Sequence, residues 1–289
     1  MKININKTIR NLSFIAVATF FLASCTERIE IELDTTYSRL VIEGQVTTET
    51  TSHWVNLSWS TDYYNPAAPV GISNAIVTIF DGFDIITLEE SETQPGLYET
   101  APDFFGLVGR TYSLNIDLAE PINEISNFTA SSELKYVAPI DSITLGYRDR
   151  FHATEVKIYA LDPPSEDFYT FNIIKNNILI TDTINKVGIT DDRFFNNNYT
   201  NGAPVYFLRD DEPAEKVYPG DTITLQMSGV TKEYYEFISD IQLETFDFSN
   251  PLFSGPPANI STNLSEGAIG FFAAFSSSYA TVVATEIVE

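Results

Sequence analysis

Residues 39–46 (RLVIEGQV) and 54–60 (WVNLSWS) alternate apolar and polar side chains with a period of two, the spacing that sends successive residues to opposite faces of a sheet. In the second run Val55, Leu57 and Trp59 share one face and Trp54, Asn56 and Ser58 the other, so Trp59 is expected in a core and Trp54 in solvent. The β-rich signal returns at residues 75–80, 85–88, 97–100, 112–116 and 127–131, punctuated by the turn residues Asp81-Gly82, Gln94-Pro95-Gly96 and Gly109-Arg110. About seven short strands with regular turns over roughly 100 residues predict an immunoglobulin-like β-sandwich, placed at residues 37–137.

Pro139 marks a change of sheet, and a second domain is expected at 138–289. Its strands are predicted at 140–145, 155–160, 168–174, 178–181, 205–208 and 222–227. One helix interrupts them, starting at Thr231 as N-cap with Glu233 in its first turn and running to about Phe246. Tyr234, Phe237, Ile238 and Ile241 fall on one stripe of that helix, which is expected to pack on a sheet. Two apolar runs, 267–275 and 279–283, are predicted as separate final strands. The chain as a whole reads as mainly β, with a sandwich followed by a β-rich α+β domain carrying one main helix.

The N-terminus follows a different pattern. Lys2, Lys7 and Arg10 precede an apolar segment at 12–23, broken by Ser13 and Thr19, and the run Leu22-Ala23-Ser24 ends at Cys25, the one cysteine in the sequence. This is the pattern of an export signal at 1–24 that a lipoprotein peptidase cleaves before a lipidated Cys25. The segment falls short of the roughly 20 apolar residues that span a bilayer, whereas each acyl methylene buried at Cys25 contributes about 0.8 kcal/mol of anchoring. Residues 25–36 are expected to form a tether. Thr26 after the anchor, followed by Glu27, Glu30 and Glu32, points to the outer membrane and its outer surface.

Charge narrows the partners. The sequence carries 40 acidic against 16 basic side chains, a formal charge of −24, which repels phosphate backbones and argues against nucleic-acid binding. Chemistry is sparse: His53 and His152 are far apart, and neither a zinc motif, a G-x-S-x-G elbow nor a phosphate loop occurs. Asp191-Asp192, Asp210-Asp211-Glu212 and Asp81 with Asp84 offer paired carboxylates, but they read as solvated turn residues and match no D-x-D-x-D-G calcium loop. No catalytic residue, metal ligand or cofactor is therefore expected. Four Asp-hydroxyl pairs resemble the O-glycan acceptor motif of exported Bacteroidota proteins, making Thr35, Ser142, Thr183 and Thr222 candidate acceptors; equally, they read as turn aspartates entering β-branched strands.

An ordered set of motifs carries a family resemblance. The cysteine motif, RLVIEGQV (39–46), NAIVTI (74–79), PGLY (95–98), GRTYSL (109–114), PIDSI (139–143), PPANISTNL (256–264) and GAIGFFAAFS (267–276) together resemble Bacteroidota lipoproteins classed as a domain of unknown function. The resemblance implies an outer-membrane lipoprotein encoded beside a TonB-dependent β-barrel receptor, with no catalytic or binding residues to carry over. Residues 194–198 (FFNNN) depart from it by their asparagine content. The receptor-facing surface is expected at 251–264, through Pro256, Pro257, Asn259 and Asn263, together with the helix. Two other readings stay open: a structural or adhesive, fimbria-like subunit that receives a donated strand, and a glycan-active enzyme with two carboxylates about 5 to 10 Å apart.

Overall fold

In β1 (Leu40–Thr47) the alternation buries Leu40, Ile42 and Val46 and leaves Glu43 exposed. The computed structural model describes residues 39–61, 68–245 and 260–285. The next strands in chain order are β2 (Trp54–Trp59), β3 (Ile76–Phe80), β4 (Ile85–Thr87), β5 (Glu89–Glu90), β6 (Leu97–Glu99), β7 (Thr111–Ile122) and β8 (Ile125–Glu133). Then come β9 (Ser142–Arg148), β10 (Ala153–Tyr159), β11 (Phe168–Lys175), β12 (Ile178–Leu179), β13 (Gly188–Asp191), β14 (Ala203–Arg209), β15 (Thr222–Val230), the helix α1 (Lys232–Thr245) and β16 (Ala268–Val283). The fold is mainly β with a single α-helix among the described residues. No helix among them is long and apolar enough to cross a membrane.

Two cores result, each between two layers of sheet. In the first, β16-β1-β2-β6-β5 faces β4-β3-β7-β8, and Ile42, Leu57, Ile79, Leu114, Phe128 and Phe272 meet in one cluster. In the second, β12-β11-β15-β16, with β13 also paired to β11, lies over β14-β10-β9 around Val156, Phe171, Ile173, Leu208 and Leu225. Within β2, Val55 and Leu57 are buried and Trp59 packs half-buried against the first core. Trp54 is half-buried too, and Ser58 is buried because residues 70–72 run alongside it: Trp59 N–H donates to Val70 O at 2.9 Å and Ile72 N–H to Leu57 O at 2.8 Å.

The two apolar runs expected as separate final strands are one strand of 16 residues. Ala268–Phe275 pairs in parallel with β1, and Ser276–Val283 continues antiparallel to β15, so β16 passes from one core to the other. The serines that break the apolar pattern are its joints. Ser276 Oγ donates to Lys135 O at 2.7 Å, Ser278 Oγ accepts Ile140 N–H at 2.9 Å, and Ser277 Oγ lies 2.9 Å from Ser228 Oγ. Beyond the boundary expected at 137/138, Leu264, Ala268 and Phe272 complete the first core, so the described residues from 39 on form one compact unit.

The helix begins where its cap predicts. Thr231 Oγ1 accepts Tyr234 N–H at 3.3 Å. Ile238 is buried and Tyr234, Phe237 and Ile241 are half-buried along the expected stripe. Tyr234 and Phe237 stand 5.1 and 5.0 Å from the Phe271 ring, docking the helix on β16.

Candidate functional site

Cys25, Thr35, Pro256, Pro257 and Asn259 lie outside the described residues. Asn263 is half-buried, and its amide is spent internally: Nδ2 donates to Ser131 O at 2.9 Å and Phe272 O at 2.7 Å, and Oδ1 accepts Phe272 N–H at 3.1 Å. It stitches β8 to β16. Ser142 is exposed at the first position of β9 and Thr222 half-buried at the first position of β15. Thr183 is exposed, but it precedes a 3-10 turn, Ile184–Lys186, rather than a strand.

The paired carboxylates separate into distinct environments. Asp191 is paired with Arg193, Nε to Oδ1 at 2.8 Å; Asp210 accepts Tyr147 Oη at 2.7 Å; and Glu212 accepts Arg209 Nη2 at 2.9 Å. Asp81 Oδ1 accepts the N–H groups of Phe83 at 2.9 Å and Asp84 at 2.8 Å, while Oδ2 takes Arg110. Burial alone would raise the Asp81 pKa, but those two N–H groups and Arg110 outweigh it and hold it below the ordinary carboxylate value.

Asp192 is different. Phe168 of β11 stands opposite Asp191 of β13, so the residues just outside that pair, Asp167 and Asp192, are neighbours; Asp192 N–H donates to Asp167 O at 3.1 Å. The asparagine-rich loop then folds back. Phe195 and Asn196 N–H both donate to Asp192 O at 2.7 Å, Asn197 N–H to Pro163 O at 3.1 Å, and Asp162 N–H to Asn198 O at 3.0 Å. Asn197 adopts φ 58°, a left-handed conformation that asparagine tolerates. The loop thus carries Asp162 to the other two, and one carboxylate oxygen from each of Asp162, Asp167 and Asp192 lies within 4.8 Å of the others.

Asp162 and Asp192 are only 6% and 2% exposed, and Oδ2 of each is buried without a hydrogen-bond partner. Asp162 Oδ1 accepts Tyr169 Oη at 2.8 Å, and half-buried Asp167 accepts Ser165 Oγ at 2.7 Å. Burial first, then repulsion from neighbouring carboxylates, pushes the pKa of both Asp162 and Asp192 up, and burial with Asp162 does the same to Tyr169. On one side Asp162 and Tyr169 line a cavity of about 150 Å³ whose walls include Ile158, Phe171, Phe195 and Met227. On the other, Asp167 lines an open cleft of about 780 Å³ reaching Lys135 and the start of α1 at Lys232.

A model of the domain of unknown function DUF4249 matches residues 26–280. The chain belongs to this family. No curated protein matches it.

In this DUF4249 chain the carboxyl trio offers hard oxygen ligands suited to a cation, while a second surface offers apolar contact. On the outer face of β4-β3-β7-β8, Ile76, Phe80 and Ile85 are exposed, and the hairpin tip adds Phe83, 76% exposed beneath the Arg110 guanidinium at 4.7 Å. A groove of about 620 Å³ crosses that face from Phe80 and Ile85 to Asn263 and Ser265. Of the trio, only Asp192 figures in the sequence reading, within the Asp191-Asp192 pair expected to be solvated, whereas it is buried; the 194–198 run stands out only by its departure from the family pattern. The sequence carries no sign of Asp167, because β13, the strand that sets it beside Asp192, has little β-rich signal, nor of Asp162, which the asparagine-rich loop brings in.

Proposed function

We propose that the chain is a non-enzymatic lipoprotein, anchored in the outer membrane of a Bacteroidota cell through Cys25, facing the cell surface rather than the periplasm and accompanying a TonB-dependent receptor. The observation that carries this reading is the run Leu22-Ala23-Ser24-Cys25 after a basic and then apolar segment. The family match beginning at residue 26, directly after that cysteine, agrees with it. The receptor rests on the family resemblance carried by the ordered motifs. The exposed Ile76, Phe80, Phe83 and Ile85 around the β3–β4 hairpin support a binding role, since exposed apolar side chains grouped on one face are a common feature of interaction surfaces.

Two other readings make different demands on the structure. A fimbria-like subunit leaves a slot for a donated strand, and here β16 of the same chain runs between β1 and β15. A glycosidase needs two carboxylates across an accessible bond, and in the carboxyl trio Asp162 and Asp192 are buried.

Purification of the full-length protein from its native outer membrane in mild detergent, followed by mass spectrometry, tests the proposal. A β-barrel receptor recovered in near-equal amount supports it; the lipoprotein alone, or a polymer of it, overturns the receptor assignment. Replacement of Cys25 by alanine should release the chain from the membrane fraction. A deletion aimed at the proposed contact segment should stop at 251–259, because Asn263 and Leu264 hold the first core together.

A further inference from the structure

We propose that Asp162, Asp167 and Asp192 form a binding site for one calcium ion, under the asparagine-rich loop at 193–198. This inference stands apart from the receptor assignment and holds whichever partner the chain has.

Three features point to a cation. First, two of the carboxylates are nine-tenths buried or more, and each keeps one oxygen with no hydrogen-bond donor. A buried carboxylate oxygen without a partner costs free energy that a native structure seldom leaves uncompensated, and a bound cation is one of the standard ways to meet it. Second, like charges gathered this closely repel unless a positive charge sits among them, and the trio has no ion pair with any Lys or Arg among the described residues, unlike Asp81, Glu155 and Asp191. Third, the backbone is committed to bringing them together. Four backbone hydrogen bonds of the 193–198 loop and its neighbours close on the residues that carry these side chains.

The ligand chemistry selects among cations. All three donors are carboxylates, with no histidine or cysteine in the group, which disfavours zinc and copper. Oxygens within 4.8 Å of one another fit around one ion at roughly 2.3–2.6 Å, the calcium distance, and a loop-built site suits the irregular coordination calcium accepts better than the strict octahedron of magnesium. Three carboxylates leave calcium short of its usual six to eight oxygens. Asp167 faces the open cleft, from which water completes the shell and the ion enters. The arrangement is not the 12-residue calcium loop sought in the sequence, because its ligands come from three separate loop ends.

Terbium luminescence on the full-length chain, stripped with EDTA and held in mild detergent with 0.15 M KCl, tests the site. Tyr169 donates to Asp162 at 2.8 Å and so stands beside the ion as an energy donor. Excitation of tyrosine should yield sensitised terbium emission that calcium displaces and magnesium does not, and calcium should raise the Tm of the stripped protein. Asp167→Asn, half-buried and therefore the gentlest change, should weaken calcium binding by at least about tenfold, the scale on which loss of a ligand or its support acts. Asp211→Asn, at an exposed acid paired only with Arg209, should leave it unchanged and so controls for diffuse binding to an acidic surface. The proposal is overturned if stripped wild-type protein shows neither emission nor a calcium-dependent Tm shift up to about 10 mM, beyond the range of weak extracellular sites. It is equally overturned if Asp167→Asn and Asp211→Asn behave alike, or if magnesium competes as well as calcium.

Discussion

His53 is 1% exposed and held in a single protonation state by its surroundings: Nδ1 accepts Thr47 N–H at 3.3 Å, Nε2 lies 3.1 Å from Glu49 O, and the ring meets Phe104 edge-on at 5.4 Å. An imidazole that accepts at one nitrogen and donates at the other is neutral. Burial lowers its pKa, with the Glu49 carbonyl and carboxylate partly offsetting the shift. Because the folded pKa lies below the unfolded value of about 6.5, the unfolded chain takes up a proton first as pH falls. Stability is therefore fully present above about pH 6.5 and declines from there until the folded pKa is reached. In urea titrations at a series of pH values, His53→Gln should lower stability at pH 7.5 and flatten the decline just below pH 6.5. An unchanged slope would mean that other groups carry it. Gly270 illustrates a different residue-scale constraint. It sits opposite Ile42 in the parallel pairing of β1 with β16, at φ 108°, and a Cβ there would stand 2.1 Å from Ile42 O. Gly270→Ala should cost at least about 2 kcal/mol, read from the denaturant midpoint, since it combines backbone strain with a clash that no side-chain rotation relieves.

Elements were legible where their own side chains defined them. The period of two in β1 and β2 and the Thr231 cap of α1 are local signals that the structure follows, except where residues 70–72 cover Ser58 of β2 and where Trp54 and Trp59 are both half-buried. The strands that escaped notice, β5 and β13, are short and owe their place to a neighbour: Glu89 and Glu90 pair with β6, and residues 188–191 pair with β11. The carboxyl trio depends on that second pairing, which is why only its Asp192 member stood out in the sequence. The serines at 276–278 mislead for a related reason, since their hydroxyls serve partners far away in the chain. The helix gives a direct test of how strongly an element relies on its tertiary seat. Thr231→Ala removes one cap and should cost about 1 kcal/mol. Phe271→Ala removes the buried ring on which Tyr234 and Phe237 rest, and should cost about 3–5 kcal/mol. Hydrogen exchange should report the difference in kind: fraying confined to the first turn of α1 in Thr231→Ala, and loss of protection over the whole helix in Phe271→Ala.

At the scale of the whole molecule the deciding feature is β16. A chain divided at 137/138 would have two cores joined by a linker, and each would unfold on its own. Here the sixteenth strand lends Phe272 and Ala274 to the first core and packs Ala280 and Val282 against the second, and its backbone pairs with β1 along one half and β15 along the other. Releasing either core means freeing half of that strand, and the serine joints at 276–278 tie the freed half to the 135–140 connection as well. The cores are therefore expected to unfold together. Leu57→Ala in the first and Ile173→Ala in the second each empty a fully buried site and should each cost about 2–5 kcal/mol. In calorimetry both should lower one shared transition, with the calorimetric enthalpy equal to the van't Hoff enthalpy. Two resolved transitions, with each variant lowering only its own, would mean that β16 connects the cores without coupling them. Shortening the serine joints offers the complementary case: Ser276→Ala with Ser278→Ala removes two side-chain hydrogen bonds, costs about 1–3 kcal/mol in all, and should widen the single transition before it splits it.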